Sequence, residues 1–266
     1  MPDNQPRDCG DPGPGHAEPT GSPHVGALVA RLVERPDGAG RRDQGRALGS
    51  LTTALAASAR TAGRASVLGG RWLTDLLVDV APRIPVRDLQ TLQAQHPGLG
   101  QEDLAEALIA GAAKGTAAVG AAGGALAAVE FTAPPTLLTA PAQIAAETLV
   151  VAAIEIKLMA ELHEVYGRSV GGGGRARASA YLMAWTTRRG VDPFDPATLR
   201  FALGSTAKRA IRVRLVKRAG RNLSTLGPMM SGAVAGSIVN HRESRRLGNQ
   251  VRDDLRPRSP AFDAGA

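Results

Sequence analysis

The chain has 266 residues, 43% of them hydrophobic and 21% charged, enough to bury the core of one large domain or two small ones. Aromatic residues make up only 3%, and Ala, Val and Leu supply most of the apolar content, a balance that disfavours a sheet and suits helices in close approach. The net charge of +8, carried mostly by Arg, points to an anionic partner, while the single Cys9 excludes a disulfide framework and a cysteine metal site.

Residues 1–24 are rich in Pro, Gly and Asp without periodic apolar positions and read as a disordered tail, since they cannot bury enough surface to offset ordering entropy. They also lack a basic stretch followed by an apolar one, so secretory export is not indicated and a cytoplasmic location is expected. Residues 25–64 read as a flexible, partly helical extension: a short helix in "VGALVARLVER", a mobile link in "ERPDGAGRRDQG", and a helical pattern from about Arg46. The main domain is expected over residues 65–255, with residues 256–266 as a second disordered tail.

Within that domain "ASVLGGRWLTDLLVDVAPRIP" places apolar residues at three- and four-residue spacing and is closed by Pro82 and Pro85. "VRDLQTLQAQHPG" is a short helix ended by Pro97 and Gly98. Glu102, Asp103 and Glu106 open the next one, where they complement the helix dipole. It runs into "GAAKGTAAVGAAGGALAAVEF", with glycines at 111, 115, 120, 123 and 124, each costing a helix interior about 1 kcal/mol relative to Ala. The helix from Pro141 to Gly167 is the clearest in the chain. A "GGGG" hinge at 171–174 precedes two more, "RARASAYLMAWTTRRG" and "DPATLRFALGSTAKRAIRVRLVKRAG", and the last, "GPMMSGAVAGSIVNHRESRRLGNQVRDDL", starts apolar and ends charged. The expected fold is an all-α, Gly- and Ala-rich multi-helix bundle.

Three features bear on function. Gly111 and Gly115, Gly120 and Gly124, and Gly232 and Gly236 are spaced by four, so each pair makes a flat groove for another helix backbone, in a soluble core or in a membrane. Uncharged stretches lie between Lys114 and Glu130, Glu130 and Glu147, and Arg221 and Arg242. The first, as helix, covers roughly 22 Å, short of the roughly 30 Å needed to span, and prolines interrupt the others. On the helix from Pro141, Gln143, Glu147, Lys157, Glu161 and Glu164 form one stripe, with Glu155 away from it. Glu147 and Glu155 are therefore candidate buried acids, paired with arginine or serving a ligand. Finally, Arg214, Lys217, Arg218 and Arg221 form a ridge at i, i+3, i+4 and i+7, suited to anionic membrane lipid or simply to solvent. Nucleic acid is disfavoured because no recognition motif accompanies the charge.

The chain has no GxSxG, HExxH, Walker A or EF-hand pattern, so no catalytic residue, metal or cofactor is read from it. The order of a Gly-rich helix, the Pro-broken "TAPPTLLTAPAQ", a helix ending "AELHEVYG" and the final "LGPMMSGAVAGSIVNHRESRRLGNQVRDDL" resembles the EcsC family of bacterial proteins. The matching positions are Tyr166, Gly167, Pro228, Gly232, Gly236, Asn240 and Gly248, within roughly residues 65–255. An aromatic common near the family's end is replaced here by "VRDDLR". The resemblance implies a bacterial protein linked to a membrane exporter, with no established activity and no catalytic residues to carry over. The expectation is a non-enzymatic helical protein at the cytoplasmic face of a bacterial membrane, where lipid or a membrane protein is its partner. The alternative is a soluble helical domain with a ligand or enzymatic site around Glu147 and Glu155.

Overall fold

The computed structural model describes residues 22–34, 41–63, 71–130, 139–190 and 228–256. Among them eight α-helices and one 3-10 turn are formed, and no strand. The helices are α1 (Ser22–Glu34), α2 (Arg41–Ala62), α3 (Arg71–Val80), α4 (Leu89–Gln95), α5 (Gln101–Glu130), α6 (Thr139–Val165), α7 (Gly174–Arg189) and α8 (Pro228–Leu255).

Local chemistry accounts for several boundaries. Pro82 sits in the 3-10 turn Ala81–Arg83 that ends α3, since proline lacks the N–H that would continue an α-helix. The Asp88 carboxylate caps α4 by accepting from the Thr91 N–H at 2.8 Å. Gly167 after α6 and Gly190 after α7 adopt φ of +64° and +65°, the left-handed turn in which a side chain would be strained. α6 begins two residues before Pro141, which places that proline in the first turn, where a missing donor leaves no gap.

α6 is the axis of the bundle. It touches every other helix described, and Ala142, Ala145, Leu149, Val150, Ile154, Leu158 and Leu162 are all buried. A helix whose apolar residues are buried on most of its circumference belongs in a core. Its polar stripe faces protein as well: Gln143, Lys157 and Glu161 are buried.

Residues 25–62 depart from the flexible extension expected of them. α1 and α2 are integral to the core, with Val25, Val29 and Val33 of α1 and Leu48, Leu51 and Leu55 of α2 buried in the same cluster as α6. Their apolar positions recur at helical spacing, so each helix has one face to bury. α1 also starts at Ser22, inside the stretch read as tail. Residues 1–21 and 257–266 lie outside the described residues, as do the link at 35–40 and the helix expected within 191–227.

α5 and α8 run antiparallel along most of their length. Gly120 meets Gly236, Thr116 meets Asn240, Ile109 meets Gly248, and Glu106 meets Arg245 and Arg252. This register determines which residues share a level in the bundle.

Candidate functional site

At the Gly120–Gly236 crossing, two backbones touch. A Cβ on Gly120 would stand 2.6 Å from the Gly236 carbonyl oxygen and 2.7 Å from Asn240 Nδ2, and one on Gly236 would stand 2.5 Å from the Gly120 carbonyl oxygen. Real Cβ atoms do not tolerate such distances, so glycine is what permits the crossing. One turn away the contact becomes polar: Asn240 Nδ2 donates to the Thr116 carbonyl at 3.1 Å, and Thr116 Oγ1 donates to the Asn240 carbonyl at 3.3 Å. Gly248 is covered by Ile109 and Leu158. Of the other glycines expected to pack helices, Gly115 and Gly124 are buried and Gly111 is half-buried. Gly232 lies in α8, with its surroundings outside the described residues.

The two candidate acids lie eight residues apart on α6, about 12 Å along its axis, and do not share a site. Glu147 is half-buried and belongs with Gln143, whose Nε2 donates to the Gly123 carbonyl at 2.7 Å and to Glu147 Oε1 at 3.2 Å. A Cβ on Gly123 would collide with the Glu147 carboxylate, so this glycine makes room for a side chain rather than for a helix.

Glu155 is fully buried and is held from two other helices. Its Oε2 accepts from Trp185 Nε1 at 2.8 Å and from Arg189 Nε at 3.0 Å, both on α7. Its Oε1 accepts from Ser244 Oγ of α8 at 2.7 Å and from the second nitrogen of the Arg189 fork. Four donors occupy the acceptor capacity of one carboxylate, so Glu155 is a tie between α6, α7 and α8 with no lone pair free for a ligand. The sequence pattern isolates Glu155 and suggests an arginine partner; Trp185 and Ser244 carried no signal, being far away in the chain.

A second buried carboxylate, Glu161, binds the turn before α4. Arg87 grips it in bidentate fashion through Nε and one terminal nitrogen, each at 2.7 Å, and Lys157 Nζ adds a contact at 2.9 Å. Hydrogen bonding to the Glu161 carboxylate is the chief cause that holds the Arg87 pKa above its ordinary value. Lys157 also donates to the Pro85 carbonyl. The stripe read as one polar face is thus divided between two internal tasks, a contact with Gly123 and a clamp on residues 85–87.

The antiparallel register brings the uncharged stretches together. The end of α5 after Lys114, the start of α6 before Glu147 and the part of α8 before Arg242 meet at the level of Gly120, Gly123, Gln143 and Gly236. Ile144, Val234 and Ile238 are exposed there. Beyond this end α8 changes character: Arg242 and Arg246 are exposed, with no ion pair among the described residues, and His241 and Asn249 line the same open face. Lys114 of α5 is also exposed, at the level of Arg242. The charge pattern of α8, apolar then charged, is visible in the sequence, but the side chains that remain open to solvent are not.

Arg214, Lys217, Arg218 and Arg221 lie outside the described residues. Among those described, no helix is long and apolar enough to cross a membrane, and no cluster of His, Cys, Asp and Glu has the makings of a metal site. No family model, no curated protein and no solved structure matches the chain.

Proposed function

We propose that this chain is a non-enzymatic, helical, membrane-associated protein at the cytoplasmic face of a bacterial membrane, built on the plan of the EcsC family and inserted shallowly by one end of its bundle. The observation that carries this reading is the convergence of three uncharged segments, from α5, α6 and α8, at one end, with Ile144, Val234 and Ile238 exposed beside them. An uncharged end with exposed apolar side chains suits insertion into one leaflet, where hydrophobic burial of about 25 cal/mol per Å² is reinforced by basic residues at the headgroup level. The basic ridge at 214–221 adds charge of the required sign. The EcsC assignment rests on the order of segments and the positions from Tyr166 to Gly248. The alternative site around Glu147 and Glu155 has less behind it, because Glu155 is saturated by protein donors and the two acids stand apart.

The test is sedimentation of the purified chain with vesicles of phosphatidylglycerol or phosphatidylcholine, followed by washes in high salt and alkaline carbonate. Binding that prefers phosphatidylglycerol and survives the carbonate wash is the expected result. Release by salt alone would replace insertion with surface adsorption. A chain that stays in the supernatant with both lipids at low salt is not a membrane protein of this kind.

A further inference from the structure

α8 is amphipathic along its axis as well as around it. On its open side Val234 and Ile238 are exposed, and the following turns present His241, Arg242 and Arg246 with Asn249 and Gln250. The step from apolar to basic takes a single turn, about 6 Å between Ile238 and Arg242, and Arg246 lies about 6 Å further on. Asp253, the acid that lines the same face, is paired with Arg256, and Arg245 and Arg252 share one carboxylate, Glu106, so the face carries a surplus of positive charge even where it is paired. Lys114 of α5 stands at the Arg242 level, a position set by the Thr116–Asn240 link.

We propose that this face of α8 is the surface that meets anionic phospholipid, with a defined polarity: Val234 and Ile238 enter the boundary between headgroups and acyl chains, and Arg242 and Arg246, with His241 beside them, bind the headgroup phosphates. The inference rests on the membrane reading above and deepens it by naming the surface and the lipid class. Charge complementarity selects the occupant. An apolar pair followed over the next two turns by Arg242 and Arg246, which form no ion pair among the described residues, matches the depth profile of an anionic leaflet, in which an interfacial helix sinks about 5–10 Å and long arginine stems reach back to the phosphates. The face needs no contribution from residues 208–221, so it makes a separate claim from the basic ridge read in the sequence.

The experiment uses the full chain with Cys9 replaced by Ser and one environment-sensitive fluorophore attached at Ile238→Cys or at Gln250→Cys, mixed with vesicles of phosphatidylglycerol and phosphatidylcholine. The probe at 238 should shift to the blue and be quenched by lipids spin-labelled in the upper acyl chain, and the probe at 250 should keep the spectrum it has in water. In parallel, Arg242→Gln with Arg246→Gln should weaken binding about 30-fold at low salt, each residue contributing the roughly fivefold expected of a basic side chain near an anionic surface, and the gap should narrow in about 0.5 M salt. Both arginines are exposed, so the variant should melt at the wild-type temperature. Vesicle binding with the probe at 238 left in water, or with the double variant unaffected, would overturn the assignment of this face and leave the membrane reading standing. A blue shift at 238 that follows protein concentration without vesicles would assign the face to a second copy of the chain. Loss of all vesicle binding by the wild type overturns both claims.

Discussion

Two glutamates fasten the bundle around α8, and they do so with the same chemistry in different surroundings. Glu155 of α6 is buried and receives Arg189, Trp185 and Ser244; Glu106 of α5 has a side chain 43% exposed and receives Arg245 and Arg252. Water makes the difference. In the interior an unpaired charge has no solvent to turn to, so removing a partner costs far more than the intact pair contributes. At the surface water competes for both partners, and even a well-aligned ion pair is worth little. Nearer the start of α8 than either clasp, at Gly120 and Gly236, the helices meet by direct backbone contact. Three modes of attachment therefore serve the same helix, and each fails differently.

The largest effect should come from Arg189→Met, which leaves the buried Glu155 carboxylate without its cationic partner. A loss of about 3–5 kcal/mol is expected in denaturant unfolding. Adding Glu155→Leu to the same chain should recover much of it, because a buried pair replaced by apolar residues of similar volume is close to neutral. If the double variant is no better than the single one, the cluster does more than satisfy its own charge.

Next comes the backbone crossing. Gly236→Ala should destabilise by about 1–3 kcal/mol through overpacking, with Gly120→Leu worse, since either added Cβ meets the carbonyl of the opposing helix. A wild-type melting temperature for both would mean that the helices separate there without loss.

Glu106→Gln should cost below about 1 kcal/mol, given its exposure, and its effect should fade in salt. A salt-insensitive loss would place Glu106 in the class of Glu155. A third clasp, in which Tyr166 donates to Glu102 Oε1 at 2.8 Å and Arg256 Nε donates to Glu102 Oε2 at 3.1 Å, reports through pH. Burial and the adjacent Glu102 carboxylate push the Tyr166 phenol up to about 12, and burial raises that of Tyr181 as well. These are the two tyrosines of the chain. The folded protein should therefore show little phenolate absorbance at pH 10, where a free tyrosine is half-ionised. Because the folded pKa of Tyr166 exceeds the unfolded one, its contribution to stability is complete below pH 10 and is lost as pH rises through about 12. Half-ionisation at pH 10 in the folded state would show that the Glu102 contact is open in solution.

The smallest effect is expected at Gly174→Ala. A Cβ there meets nothing within 4 Å, and the residue opens α7, so stability should stay within about 0.5 kcal/mol of wild type. A marked loss would mean that the glycine run at 171–174 holds a conformation alanine cannot reach.

How much of this was legible in the chain depends on how local the cause is. The all-helical class, the ends of α4, α6 and α7 at Pro97, Gly167 and Gly190, and the start of α5 follow from residues a few positions apart. Aromatic scarcity, caps and three- and four-residue spacing act within one element. Spacing by four also marked Gly120 and Gly236 as groove-formers, and the wheel set Glu155 apart from its stripe. Partnership was another matter. Gly120 could have met any small residue, and the arginine for Glu155 could have been any of many. The reading of α1 and α2 as an extension failed for the same reason, since an amphipathic helix does not announce which core will receive its face.

What the sequence by itself determined is therefore where helices begin and end, which faces are apolar and which positions lack a side chain, because backbone propensity and periodicity are properties of neighbours in the chain. Only the tertiary structure decided that Arg189, Trp185 and Ser244 converge on Glu155, that α5 and α8 pair at glycine, and that three uncharged segments share one end of the bundle. Those outcomes depend on contacts between residues far apart in the chain, Glu155 with Ser244 and Gly120 with Gly236 among them, whose energies arise only once the helices have packed and water has been excluded between them.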